Sequence, residues 1–186
     1  MKKYIYSSLI ILLFSINQAS AQKNLISNGG FEDGLNSWGA GNAKVSTVIR
    51  KSGEASLALV SYVKGKWEGI DQKVKLPKNS KAIVVSGFYK MDEVEQGANT
   101  WNTAVIILEF TDGDKKLGEG IPLVEKIGTE DWSAFKKNLR VPDGATSFRI
   151  MIALSEASGT LFVDDLNAKV ILIEDFEKET AVSKTN

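Results

Sequence analysis

Three sets of residues in this chain could do chemistry, each of a different kind. The run Asn28-Gly29-Gly30-Phe31-Glu32-Asp33-Gly34 follows a short apolar stretch at Leu25-Ile26 and precedes Trp38. Paired glycines adopt dihedrals that other residues avoid. Such a loop can turn backbone carbonyls and a carboxylate toward one point, which suits a hard cation. The second set is aromatic: Trp38, Trp67, Trp101, Trp132, Tyr62 and Tyr89 offer flat apolar rings. The third set is the carboxylates, because the chain contains neither histidine nor cysteine. That absence excludes Ser-His-Asp and thiol catalysis, zinc held by His or thiolate, disulfides and a lipid-bearing cysteine.

Carboxylates alone could still act in pairs as acid and base, at a separation of about 5–9.5 Å. Residues two apart on a strand point the same way and stand roughly 6–7 Å apart. A Glu-x-Asp-x-x-Glu strand motif would supply such a pair, and the sequence holds none. Glu93-x-Glu95 falls in a polar loop and Asp112-x-Asp114 in a turn. The chain is expected not to be an enzyme.

The elements that must position these residues read as β throughout. Runs rich in Val, Ile, Phe and Tyr predict strands over 45–50, 55–63, 67–76, 82–91, 103–111, 134–141, 147–155 and 160–171. Turn signals separate them at Lys51-Ser52-Gly53, Pro77-Lys78-Asn79, Asp112-Gly113-Asp114 and Pro142-Asp143-Gly144. Many short strands with such punctuation predict a sandwich or barrel. Alternation then assigns faces. Phe148, Ile150, Ile152 and Leu154 share one face, as do Ile106, Leu108 and Phe110, and Ile70, Val74 and Leu76. The opposite faces are mixed: Trp67, Gly69 and Asp71 on one strand, Val105, Ile107 and Glu109 on another, Arg149, Met151 and Ala153 on a third. Such a face is either solvated, covered by a loop, or a concave binding surface. A polar connection over 92–102, with Trp101 near its end, and a second, GDKKLGEG, within 113–130 are predicted loops.

Residues 1–21 read as a secretory signal peptide. Lys2-Lys3 supplies the positive end, Tyr4 to Ile16 is apolar but short for a membrane span, and Ala19-Ser20-Ala21 is an A-x-A cleavage site. The predicted product, secreted or periplasmic, starts near Gln22, with one domain over 22–172 and a frayed polar tail over 173–186. Lys+Arg and Asp+Glu are equal at 23 each, and loss of Lys2 and Lys3 leaves a slight acidic excess. That argues against nucleic acid as a partner, which calls for a basic surface.

The order and spacing of several segments resemble carbohydrate-binding modules of the family 4 and 9 type. NGGFEDGLNSW looks like the opening of that family, RKSGEASLAL like its Ser-Gly turn into a strand, and WEGIDQKVKLP with IVVSGFYK like its central strands. GTEDWSAFKKNLRVPDGATSFRIMIAL and GTLFVDDL resemble its later segments, so the likeness runs over roughly 24–171. It implies an all-β antiparallel β-sandwich, a jelly roll of the galactose-binding-like kind. It also implies a structural calcium where the first and last strands meet, held by Glu32 and by Asp164 or its neighbour Asp165. Backbone carbonyls near Asn28 and Lys51 would complete the oxygen shell.

The ligand implied is a polysaccharide or oligosaccharide, whose C–H faces stack on aromatic rings and whose hydroxyls pair with carboxylate and guanidinium groups. Trp38 and Trp132 stand in positions of the family's fold signature and are expected to pack. Trp67 and Trp101 are the preferred platforms, with Tyr62 and Tyr89 as weaker candidates and Asp71, Glu109 and Arg149 as polar partners. A separately encoded glycan-degrading enzyme is a further expected partner. The competing reading is a structural, adhesive or protein-binding component of the cell surface.

Overall fold

The computed structural model describes residues 23–39 and 41–183; the expected signal peptide lies outside them. Ten strands follow in chain order: β1 (Lys44–Ser46), β2 (Ser56–Ser61), β3 (Glu68–Lys75), β4 (Ala82–Glu95), β5 (Ala104–Asp112), β6 (Lys115–Lys116), β7 (Ile121–Lys126), β8 (Gly128–Arg140), β9 (Ser147–Leu154) and β10 (Ser158–Ile171). A helix, α1 (Ile173–Ser183), closes the described chain. The strands form two antiparallel sheets. Sheet A has the order β1-β2-β10-β4-β8; sheet B runs β3-β9-β5, with β6 and β7 both pairing β5. The result is the all-β jelly-roll sandwich that the sequence predicts.

Alternation explains the core. Ile70 and Val74 of β3, Phe148, Ile150, Ile152 and Leu154 of β9, and Ile106, Leu108 and Phe110 of β5 all point inward and are buried. They meet Leu57, Leu59, Ile83, Val85, Met91, Leu161 and Val163 of sheet A. Each such side chain adds about 1.5–3 kcal/mol when buried. The opening loop is pinned to this body by Gln72, whose amide accepts from Ser27 N and donates to Ser27 O, both at 2.9 Å. Phe31 stacks on Trp38 at 5.2 Å between ring centroids, so Trp38 packs as expected.

Four boundaries differ from the predicted ones. The strand expected over 45–50 stops at Ser46, and the chain beyond it folds over β10 instead. β4 continues to Glu95, so its connection to β5 begins later than 92. Residues 113–130, expected to include a polar connection at GDKKLGEG, contain β6, β7 and the start of β8. Pro122 lies in β7, which pairs only with β5 and is therefore an edge where a missing N–H is tolerated. The expected frayed tail is α1. Glu174 and Asp175 occupy its first turn, where acidic groups complement the helix dipole. Arg140 ties it to β8 through Glu177 at 3.1 Å and over the Phe176 ring at 5.3 Å. Among the described residues no helix is long and apolar enough to cross a membrane.

Candidate functional site

The outward face of sheet B carries most of the candidate residues. Strand pairing sets them in rows: Gly69, Ala153 and Val105; then Asp71, Met151 and Ile107; then Lys73, Arg149 and Glu109. The first row is small and covered: Ala153 and Val105 are buried, and Glu125 of β7 stands beside Val105. A Cβ on Gly69 would lie 2.7 Å from Ala153 Cβ and 3.1 Å from Trp67 Nε1. The Trp67 indole therefore lies against Gly69, at the edge of a row of small side chains. Its ring is 49% exposed, too open for a core residue of that size.

The polar rows are organised by ion pairs. Arg149 grips Asp71 with two parallel bonds, Nε to Oδ2 at 2.9 Å and Nη2 to Oδ1 at 3.0 Å. That carboxylate raises the Arg149 pKa above its ordinary value. Lys116 reaches Glu109 at 2.6 Å, and that contact raises the lysine pKa likewise. Asp71, Glu109 and Arg149, separated by up to 78 residues in sequence, are thus brought to one surface next to Trp67.

Trp101 stands in the loop before β5, and Trp67 stands just before β3. Glu68 and Ala104 both pair with Leu154, so the two indoles are at the same end of sheet B. Trp101 is 63% exposed. Its loop is fastened by Asn102, a buried residue that sequence reasoning did not single out. Asn102 Oδ1 accepts from Asn99 N at 2.8 Å, its N–H donates to Asn99 O, and its carbonyl accepts from Gly97 N. An Asn between Trp and Thr in a polar loop was the available signal.

The two tyrosines go elsewhere. Tyr62 follows β2 and so belongs to sheet A; it is 91% exposed. Tyr89, expected among the binding aromatics, is 4% exposed and faces the core. It shares inward parity with Val85 and Met91, so its ring faces are closed to a ligand. Its hydroxyl donates to Glu130 Oε1 at 2.9 Å. Trp132 is half-buried on β8.

The proposed cation ligands meet at another corner. Asp164 lies where β10 slips register against β4, and the following Asp165 has φ 52°. Its carboxylate is fully buried and accepts three backbone bonds: from Lys51 N at 2.9 Å, Ser52 N at 3.1 Å and Asp165 N at 2.7 Å. Burial raises its pKa, and the N–H donors of Ser52 and Lys51 partly counter this. Glu32 accepts from Glu54 N at 2.9 Å. A Cβ placed on Gly30 would be 3.8 Å from both Asp164 Oδ1 and Glu32 Oε1, so the two carboxylates converge there. Among the described residues neither forms an ion pair, and no group of three or more acidic side chains is arranged around a metal position.

Asp165 instead accepts from Ser52 Oγ at 2.9 Å at the surface, which separates it from Asp164. Lys51 places its ammonium 4.9 Å over the Phe88 ring. Asn28 is already committed. Its carbonyl accepts from Trp38 Nε1 at 3.1 Å and Phe31 N at 3.2 Å, while its side chain bridges Gly34 O, Asn36 O and Asp33 N. It shapes the loop from within.

The two-sheet sandwich thus carries, on one sheet face, an exposed indole packed on a glycine and fixed ion pairs. A family model described as "Carbohydrate binding domain" matches residues 23–159, and the chain belongs to that family. No curated protein sequence matches the chain. Solved structures agree on the fold. Similar to it is a "Family 16 Carbohydrate Binding Module-2", at TM-score 0.57 and 20% identity over 78% of this chain and 99% of that one. A second is TmCBM61 in complex with beta-1,4-galactotriose, at TM-score 0.54 and 19% identity over 80% and 99%. A third is the enzymatically active domain of tailspike protein 4 from bacteriophage CBA120, at TM-score 0.65 and 16% identity over 80% of this chain. There the chain spans 21% of the other's length.

Proposed function

We propose that this protein binds a polysaccharide or oligosaccharide without transforming it, on the outward face of sheet B. The observation that carries the reading is Trp67 half-exposed against Gly69, one row from the Asp71–Arg149 pair. In this reading Trp67 and Trp101 stack on sugar C–H faces, and Asp71, Arg149 and Glu109 meet the hydroxyls. Asp71 carries a cation from Arg149 and Glu109 one from Lys116. That arrangement suits binding better than proton transfer. Two stacks and a few hydrogen bonds correspond to roughly −4 to −8 kcal/mol, or millimolar to micromolar affinity.

The reading extends to secretion after cleavage near Ala21 and to service alongside a separately encoded glycan-degrading enzyme. It also includes a structural calcium. Glu32 and Asp164 fit one by chemistry, being convergent oxygen donors with no cationic partner. The ion would supply the positive charge that the buried Asp164 lacks, with the carbonyl of Lys51 as a neighbouring oxygen.

The test is retardation in native gels cast with β-glucans, xylans, mannans, pectins or alginate, with and without a chelator. Retardation by one class that disappears in Trp67→Ala, with an unchanged melting curve, supports the sheet B site. No retardation of folded protein across the panel overturns it. Calcium has its own readout. The raised pKa of Asp164 means the folded chain binds the proton more tightly than the unfolded one, so its contribution to stability falls as pH climbs from about 3.8 upward. Bound calcium opposes this loss, so adding it is expected to raise Tm more at neutral pH than near pH 4. An equal effect at both pH values, or none, removes calcium from this corner.

A further inference from the structure

A second cleft lies on the other sheet. Val60, Thr160 and Asp92 stand side by side on β2, β10 and β4. They belong to a cleft of about 330 Å³ that also includes Tyr62, Glu93 and Ser158. The backbones close tightly here: a Cβ on Gly159 would come 2.5 Å from the Glu93 carbonyl, and Gly159 has φ 113°. Tyr62 is 91% exposed, so packing gives no account of an aromatic ring at this position.

Charge narrows the ligand. Glu95, also on the cleft, is neutralised by Lys64 at 2.9 Å. Among the described residues no ion pair or side-chain hydrogen bond engages the carboxylates of Asp92 or Glu93, so two negative charges are open to the cleft. No acidic trio there is arranged to hold a metal ion. An aromatic face attracts both sugar C–H groups and cations. Hydroxyls at Ser158 and Thr160 offer donors to the ring oxygen and acceptors to the hydroxyls of a sugar.

We infer that this cleft is a second binding site, separate from the sheet B face, that takes a pyranose carrying a protonated amine. The sugar stacks on Tyr62, and its ammonium is met by Asp92 and Glu93. A neutral or anionic sugar leaves both carboxylates unanswered and binds less well. The site does not depend on Trp67, so its failure and that of the sheet B reading are separable.

The experiment is an NMR titration of the protein, in dilute buffer below neutral pH, with a fully deacetylated glucosamine tetramer and with its N-acetylated counterpart. Shifts at Tyr62 and over 158–160 with the deacetylated tetramer, at least about 10-fold tighter than with the acetylated one, are expected. Tyr62→Ala removes no buried contact and is expected to lose that binding by about 10-fold. The double variant Asp92→Asn/Glu93→Gln is expected to abolish the preference for the free amine and its salt dependence. Trp67→Ala is expected to leave this titration unchanged. Absence of these shifts in the unmodified protein, equal binding of both tetramers, or binding that survives Tyr62→Ala overturns the proposal.

Discussion

β3, β9 and β5 present two unlike surfaces from the same backbone. Toward sheet A they offer Ile70, Val74, Phe148, Ile150, Ile152, Ile106 and Leu108, all buried. Away from it they offer Met151 and Ile107 together with Asp71, Lys73, Arg149 and Glu109, and the charged four are held by ion pairs at the surface. Neighbouring residues such as Phe148 and Arg149 therefore answer to different physics. The first is constrained by volume, the second by the partner opposite. The inner face supplies most of the stability, and the charged part of the outer face is free to carry recognition because stability depends on it little.

Substitutions test that division. The largest effect is expected for Phe148→Ala, which empties a fully buried ring site and costs about 3–5 kcal/mol. Calorimetry should record a fall in Tm of roughly 6–20 °C, at about 2–4 °C per kcal/mol for a domain of this size. Gly69→Ala is a place where the division should break. It faces outward, yet its Cβ meets the neighbouring strand at 2.7 Å, so a loss of about 1–3 kcal/mol is expected in urea unfolding. Trp67→Ala is expected to lower glycan affinity by about 10-fold, near 1.4 kcal/mol, with Tm held within about 2 °C. A large fall in Tm would return Trp67 to the packing. Arg149→Ala should have the smallest effect on stability, about 0–1 kcal/mol, because both partners of the pair are partly solvated. Its effect should be read in glycan retention instead.

The inner face was legible in the sequence because alternation needs only one strand at a time. Phe148-x-Ile150-x-Ile152-x-Leu154 declares its face without reference to any partner. The same signal was present for Tyr89, in step with Val85 and Met91, but apolar neighbours on both sides of the strand blurred it. What the sequence hides is which sheet a strand joins. Tyr62 and Trp67 are five positions apart, yet β2 enters sheet A and β3 enters sheet B, so their rings serve different surfaces. The start of β8 was hidden for a related reason. Gly128-Thr129-Glu130-Asp131 is polar and reads as loop, and it becomes strand only because β4 extends far enough to pair with it. α1 has a weak apolar pattern and is contacted by Arg140 from β8, a contact invisible from its own residues.

β10 occupies the middle of sheet A, between β2 and β4, and it is the last strand to be made. Leu25 also donates to Ala168 on it, so the first described strand-like segment waits for the last strand too. Sheet A therefore stays split, with two inner edges open, until residues 158–171 have emerged. Open edges invite pairing with other chains, and closing contacts this far apart in sequence is slow. The consequence is practical. The family match ends at residue 159, just as β10 begins. A chain cut at that boundary would lack the strand that joins the two halves of the sheet, and it would be expected to aggregate rather than fold.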